Sequence, residues 1–258
     1  MRRWLGRQWA QRLGWVGLFL LIWQGAAASG AVSPLLLPPL EAVGAELVHA
    51  LQSGHLLEQI GFSLLLLTEG LLLAALFALV LAYGALHSKI LRSLTDALCM
   101  LAHPLPAIAL LPLIIVWFGI GAQAILVIII HSALWPLLLN LLAGFGTVPR
   151  VYVESGKSLS MGPLRLLWGV YLPASAPHLL SGAKTAWARA WRALISAEML
   201  FGAVGAYGGI GWYLFKSRVL MNTPGLYAGI LVVILTGMGV EGMLEWAERR
   251  SVRRWGEA

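Results

Sequence analysis

Two segments carry glycine patterns that could bind phosphate. Gly156-Lys157-Ser158 has the tail of a phosphate-binding loop, but the glycine required five residues earlier is Val151. Such a loop cradles phosphate with glycine-rich backbone between a strand and a helix, and no strand pattern precedes this segment. Gly208-Gly209-Ile210-Gly211 likewise opens no strand–helix–strand unit. The sequence therefore predicts no nucleotide site on this chain.

Catalytic and metal-binding patterns are missing from the loops as well. No nucleophile, base and orienting group occur together, and no His, Asp and Glu spacing matches a metal site. The single cysteine, Cys99, lies in an apolar stretch, which excludes a disulfide framework and a cysteine-rich metal cluster. We therefore predict no catalytic, cofactor-binding or metal-binding residue, and expect a protein that is not itself an enzyme.

Polar residues inside apolar segments are the remaining candidates for function. Glu198 lies 14 residues beyond Lys184, which is about 21 Å along a helix. A carboxylate at that depth is costly, so it either lines a pathway or gate or forms a structural hydrogen bond between helices. Arg189 and Arg192 either extend to the membrane interface or attract an exiting anion. The candidates for a translocation pathway are His103, Trp117, Asn140, Ser196 and Glu198; Glu69 and His131 are weaker ones.

The elements that must position these residues are membrane-spanning helices. Of the 258 residues, 59% are hydrophobic and 11% charged, against roughly 25% charged in soluble domains. A helix needs about 20 mostly apolar residues to cross a bilayer. The sequence predicts an all-α, polytopic membrane protein with six transmembrane helices. The predicted spans are 14–32, 60–86, 98–118, 122–146, 184–205 and 225–246.

These spans divide the chain into four parts. Residues 1–33 form an anchor helix, which we expect to stay uncleaved although its flanks imitate a signal peptide. Residues 34–59 form an external amphipathic segment, 60–250 a core of five spans, and 251–258 a tail. Prolines in 98–118 and glycines in 202–211 predict broken helices, which favour a pathway over a simple anchor.

The basic residues predict the orientation in the bilayer. With six crossings, sixteen of the 18 Lys and Arg fall on one face, and only Lys216 and Arg218 on the other. Basic loops resist translocation, so the first face and both termini are expected in the cytoplasm. The net charge of +7 therefore needs no nucleic acid. Seven tryptophans near span ends are predicted interface anchors: Trp15, Trp23, Trp117, Trp135, Trp187, Trp212 and Trp246.

A long loop over residues 147–181 is too polar to span and too apolar for a linker. Gly162-Pro163 divides it into two short helices, and Pro173 and Pro177 close or kink the second. This elbow suits docking of another protein; the alternative is an interfacial helix resting on lipid headgroups.

The loop resembles the coupling loop of binding-protein-dependent ABC importer permeases. The family pattern is Glu-Ala-Ala, three residues, Gly, nine residues, Ile-x-Leu-Pro; here it is Glu154-Ser155-Gly156, Ser160, and Val170-Tyr171-Leu172-Pro173. Because Ser160 replaces the family glycine, we expect Gly162 to supply the turn. The resemblance assigns ATPase docking to Glu154, Ser155, Gly156, Leu159, Ser160, Gly162, Leu172 and Pro173.

Three further stretches resemble the nitrate, sulfonate and taurine subgroup of these permeases. They are the run from Pro104 to Gly121, Arg189-Ala190-Trp191 with Ala197-Glu198-Met199-Leu200, and Gly209-Ile210-Gly211-Trp212. The resemblance covers about residues 35–250, although Leu66 stands near where the family commonly has Arg.

What the resemblance implies is a type I ABC importer permease in the bacterial inner membrane. Two copies would form the pathway, and cytoplasmic ABC ATPase subunits would hold ATP and Mg and bind the elbows. A periplasmic substrate-binding protein would deliver nitrate, a sulfonate or taurine. The alternative is an ATPase-independent secondary transporter or channel, driven by an ion gradient.

Overall fold

The computed structural model describes the backbone of residues 2–205 and 208–255 and the side chains of residues 11, 13–205 and 208–250. Within those ranges the chain is helical and has no strand, which confirms the all-α prediction. In chain order the helices are α1 (Arg2–Ala28), α2 (Leu40–Gln52), α3 (His55–His87), α4 (Lys89–Ala102), a 3₁₀ turn (Ala107–Leu110), α5 (Leu111–Phe118), α6 (Ala122–Thr147), α7 (Arg150–Ser158), α8 (Pro163–Leu166), a π turn (Leu167–Tyr171), α9 (Leu172–Ala174), α10 (Ala176–Phe201), α11 (Ile210–Val219) and α12 (Thr223–Trp255).

Among the described residues, three helices are long and apolar enough to cross a membrane: α3, α6 and α12. A fourth crossing is formed if α4 and the segment 107–118 count as one bent span. In α1 the apolar part, Leu13–Ala28, is short, and α10 is long enough but carries four charged residues. The count of six crossings therefore stays a prediction.

The third predicted span is broken, as its prolines indicate. The two halves meet at 92° around Pro104 and Pro106. Proline lacks an N–H donor, so Pro104 cannot continue the hydrogen bonds of the helix, and α4 ends at Ala102 with His103 as its C-cap. The predicted start at residue 98 is wrong, because α4 already begins at Lys89 with its N-cap Ser88 accepting a hydrogen bond from the Leu91 amide.

Helix α6 lies at the centre of the bundle between α3 and α10. Small residues let the backbones approach closely, as is common between membrane helices. Gly70 of α3 lies against Ile129, and Gly182 of α10 lies against Asn140. Four residues farther along α3 from Gly70, Ala74 is fully buried, and so is Ala78. This close packing fixes the rotation of α3 and α10 about α6.

The elements predicted to lie outside the membrane join the first helices to the last. The predicted amphipathic segment contains α2, which ends before Gly54, where the backbone is left-handed. Glu46 of α2 accepts a 3.0 Å hydrogen bond from Asn222 Nδ2, and Tyr227 donates to the Leu36 carbonyl. Near the opposite end of α12, Lys184 and Glu248 form an ion pair that ties α10 to α12.

Two ends of the chain differ from the predicted parts. Helix α1 begins at Arg2, upstream of the predicted span, and α12 continues to Trp255, into the predicted tail 251–258. The side chains of the counted N-terminal arginines and of Arg253 and Arg254 lie outside the described residues. Residues 206 and 207 of the predicted glycine break also lie outside the described residues. Helix α10 ends at Phe201, and the next residue, Gly202, has a left-handed backbone.

The prediction that tryptophans near span ends are interface anchors is wrong for Trp135 and Trp187. Their exposed fractions are 9% and 6%, and Trp187 stacks on Trp191 in the bundle core. Trp15, by contrast, is 72% exposed. Distance from a span end does not reveal helix rotation, and both buried rings lie on the inner faces of α6 and α10.

Candidate functional site

The elbow after α6 consists of α7, a tight turn, and a second short helical run. As predicted, the division falls at Gly162-Pro163, with Pro163 in the first turn of α8. The second run passes from α8 through the π turn into α9, and only Ser175 separates α9 from α10. The elbow is therefore joined to α10 without an extended linker.

The left-handed residue of the elbow is Ser160 and not Gly162. Ser160 has φ of 56°, whereas Gly162 has φ of −68° and an extended backbone. The turn closes α7 through hydrogen bonds from the Ser160 amide to the Lys157 carbonyl and from the Met161 amide to the Gly156 carbonyl. The expectation that Gly162 supplies the turn is wrong; the family glycine position carries the geometry, and serine tolerates it there.

Gly156 lets the two halves of the elbow approach each other. It is buried, and a β-carbon at this position would lie 2.6 Å from Leu166 Cδ2. Any larger residue would have to displace the α8 side chain, so this contact holds α7 at a fixed angle to α8. Leu172 and Pro173 are half-buried on the inner side of the same elbow.

The outer side of the elbow is unusually apolar for a loop. Leu159 is 73% exposed, and Glu154, Ser155, Ser160 and Gly162 are exposed around it. Four more exposed apolar or aromatic side chains extend this surface: Val151, Tyr152, Leu164 and Trp168. Of the predicted docking residues, five are exposed and Gly156, Leu172 and Pro173 support them from within. An exposed apolar patch of this kind is typical of an interaction surface.

A cavity of about 460 Å³ lies between the broken span, α6 and α10. Two of the predicted pathway residues, His103 and Ser196, line it together with Arg189 and Arg192. Its remaining walls come from the break and from the inner faces of the two helices: Pro104, Leu105, Pro106, Ala107, Ile108, His131, Ser132, Trp135 and Ala193. No acidic side chain among the described residues lines the cavity.

The two arginines give the cavity its charge. The Arg189 guanidinium lies against the His103 ring, with nitrogen-to-nitrogen distances of 3.4 and 3.5 Å. Arg192 Nε donates to the Ala188 carbonyl at 2.9 Å. Neither guanidinium forms an ion pair with a carboxylate in the described part of the chain. The cavity is therefore suited to an anion.

Three other pathway candidates lie away from this cavity. Trp117 is 67% exposed on α5, and Asn140 donates from Nδ2 to the Pro136 carbonyl of its own helix. Glu198 is 1% exposed and accepts hydrogen bonds from Ser63 Oγ at 2.7 Å and from the Gly211 amide at 2.9 Å. The geometry of Glu198 is that of a structural contact joining α10 to α3 and to the start of α11.

Sequence reasoning missed Trp135 as a cavity residue because it was counted as an interface anchor, although it lies in the middle of the predicted span 122–146. A signal was present: His131 and Trp135 are four residues apart, and Arg189, Arg192 and Ser196 follow helical spacing on one face. Two such polar stripes on neighbouring helices indicate a shared polar space.

A comparison with protein families matches most of the chain. The sequence profile described as "Binding-protein-dependent transport system inner membrane component" matches residues 70–253, which is most of the chain. The chain belongs to this family of ABC transporter permeases. The permease is accordingly a transport protein, and in this family ATP hydrolysis belongs to a separate subunit.

Several relatives of this permease are named for small molecules that carry a sulfonate group or are oxyanions. It is 28% identical over 261 residues to the taurine transport system permease protein TauC of Escherichia coli, covering 99% of this chain and 94% of the relative. Over 263 residues it is 24% identical to the bicarbonate transport system permease protein CmpB of Synechococcus elongatus, covering 96% and 93%. The nitrate import permease protein NrtB of Leptolyngbya laminosa is 27% identical over 194 residues, covering 75% and 68%.

A solved structure shares the fold of this permease. The chain aligns with one from a structure titled "Inward facing conformations of the MetNI methionine ABC transporter" with a TM-score of 0.55 and 18% identity. The alignment covers 78% of this permease and 95% of that chain. At this identity the likeness concerns the fold alone.

Proposed function

We propose that this permease is the transmembrane subunit of an ATP-driven importer for a small anion such as taurine, another sulfonate, nitrate or bicarbonate. Two copies form the pathway in the bacterial inner membrane, each with six crossings and both termini in the cytoplasm. The partners are an ABC ATPase, which holds ATP and Mg, and a periplasmic binding protein. The observation that carries the proposal is the exposed apolar elbow around Leu159, in the loop whose sequence resembles the family's coupling loop.

The elbow has the stiffness that coupling requires. Gly156 packs against Leu166, and a single residue separates α9 from α10. Closure of an ATPase dimer would move the two elbows toward each other as rigid bodies. Because α10 follows the elbow directly, its cavity-lining face would move with it. Nucleotide would thus bias a two-state opening of the pathway to one side or the other.

Disruption of the elbow surface tests this proposal. We expect Glu154→Ala with Leu159→Ala to abolish ATP-dependent anion uptake and to weaken co-purification with the ATPase, while insertion in the membrane is unchanged. The matched control, Glu58→Ala with Leu220→Ala, alters an acidic residue and a 65% exposed leucine outside the elbow and should leave both measurements intact.

Wild-type uptake by the elbow variant would contradict the docking role. Uptake that needs no ATPase and follows an ion gradient would instead support a secondary transporter or channel. Both results come from the same vesicle assay, with ATP and ion gradient varied separately.

A further inference from the structure

The cavity contains buried polar groups that have no partner. Trp135 is only 9% exposed, and its indole Nε1 makes no hydrogen bond within the described structure. Both ring nitrogens of His131, which also lines the cavity, are likewise unpartnered. Most buried polar side chains are hydrogen-bonded, and each exception needs an explanation. These nitrogens are themselves buried, so a ligand in the cavity reaches them only when the rings turn toward it.

The charge of the cavity defines that ligand. Arg189 and Arg192 both line it without a carboxylate partner in the described residues. Arg189 is half-buried and Arg192 is exposed, so both guanidinium groups can reach a ligand, and a bound anion would neutralise their charge. Guanidinium groups match oxyanions well because their N–H donors can bind two oxygens at once.

The other polar side chains do not compete for this role. Ser132 Oγ donates to the Ile128 carbonyl and Ser196 Oγ donates to the Arg192 carbonyl, both at 2.9 Å. Their protons are used within their own helices, and the His103 ring already lies against the Arg189 guanidinium. This leaves the arginines, Trp135 and His131 to meet a ligand. The rest of the wall is apolar, from Pro104 to Ile108. The volume of about 460 Å³ falls in the range typical of small-molecule sites.

We infer that this cavity is a binding site for one oxyanion group, held by Arg189 and Arg192, with Trp135 Nε1 as a third donor when its ring turns toward the ligand. The ligand class is a sulfonate, a nitrate or a bicarbonate. The inference rests on the proposed function and adds that the permease itself recognises the anion, independently of the binding protein. A lipid phosphate shares this chemistry, so the experiment separates the two sources.

Equilibrium dialysis of the full-length permease with its ATPase tests the site. The complex is placed in phosphatidylcholine nanodiscs without a binding protein, and labelled taurine, nitrate and bicarbonate are titrated separately. We expect the wild type to bind at least one probe saturably. For that probe, we expect the Kd of the double variant Arg189→Gln with Arg192→Gln to be higher by about tenfold or more, because each charged hydrogen bond contributes strongly. The control Arg218→Gln, which lies over Phe215 outside the cavity, should bind like the wild type.

Trp135→Phe is the second variant, since it keeps the ring and removes only the N–H. A structural role predicts no change, because the indole nitrogen has no partner to lose. The inferred site predicts binding that is several-fold weaker, by the contribution of one hydrogen bond. This variant keeps the test decisive if the double arginine variant does not assemble.

Each outcome has one interpretation. Undiminished anion binding by either variant, or no saturable binding of any probe by the wild type, would overturn the inference. The inference would also be overturned if phosphatidylglycerol in the nanodiscs fully prevented binding of the small anions, because the occupant of the cavity would then be a lipid headgroup. If no ATPase assembles with the chain, the proposed function fails; if ATP drives uptake but the variants bind normally, only the inference fails.

Discussion

Ser160 holds a backbone conformation that glycine adopts at lower energy. Its φ of 56° is left-handed, which costs a residue with a β-carbon roughly 1 kcal/mol. We expect Ser160→Gly to raise the midpoint of thermal unfolding in detergent. Ser158→Gly is the control. Glycine has a lower helix propensity than serine, so this change in the last turn of α7 should lower the unfolding midpoint. A lower midpoint for Ser160→Gly would show that the turn does not limit stability.

Glu198 is expected to contribute to stability and not to anion binding. Its carboxylate accepts hydrogen bonds from Ser63 and Gly211 and does not line the cavity. Glu198→Ala leaves those donors buried without a partner, at a cost of about 1–3 kcal/mol. Glu198→Gln, which keeps one acceptor oxygen, should fall between the wild type and Glu198→Ala.

The measurements for Glu198 are thermal unfolding and taurine binding by the same preparations. Glu69→Ala removes an exposed carboxylate from α3 and serves as the control for stability. Weaker anion binding by Glu198→Ala with an unchanged unfolding midpoint would reverse the assignment and place Glu198 on the pathway.

At the scale of helices, one close contact between α3 and α6 can be tested within a single helix. A β-carbon on Gly70 would overlap Ile129, whereas Gly61 has nothing within 4 Å of its β-carbon position. Gly61→Ala should therefore stabilise the protein, by up to about 1 kcal/mol from helix propensity. Gly70→Ala should destabilise it by about 1–3 kcal/mol through overpacking. Thermal unfolding of the two variants should give opposite signs; equal shifts would contradict the close contact.

Sequence predicts an element well where local chemistry alone decides it. Pro104 and Pro106, two residues apart, break the third span, whereas the single Pro136 lies inside α6 without ending it. Gly162-Pro163 marks where α8 begins. Sequence predicts the position of a side chain less well where packing against another helix decides it. Trp135 is a cavity residue only because α6 is rotated toward α10, and that rotation follows from close contacts such as Gly182 with Asn140. The Ser160 turn was missed because a nearby glycine offered a locally easier solution.

For the whole molecule, orientation in the bilayer is the prediction with the clearest readout. Arg218 and Arg165 are both exposed, and the basic-residue bias places them on opposite faces. We expect an impermeant maleimide to label Arg218→Cys in intact cells whose outer membrane is permeable, and Arg165→Cys only after the inner membrane is opened. The parent chain is the control, since its Cys99 is buried. The reverse pattern would invert the topology.

The absence of a linker between the elbow and α10 implies a reciprocal energetic relation. Arg189 lies 13 residues beyond the start of α10, about 20 Å from the elbow along one continuous helix. Suppose that a nucleotide state shifts α10 and thereby changes the affinity of the cavity for an anion by some factor. By thermodynamic linkage, binding of the anion must then change the equilibrium for that nucleotide state by the same factor. An occupied cavity would then report the presence of cargo to the ATPase.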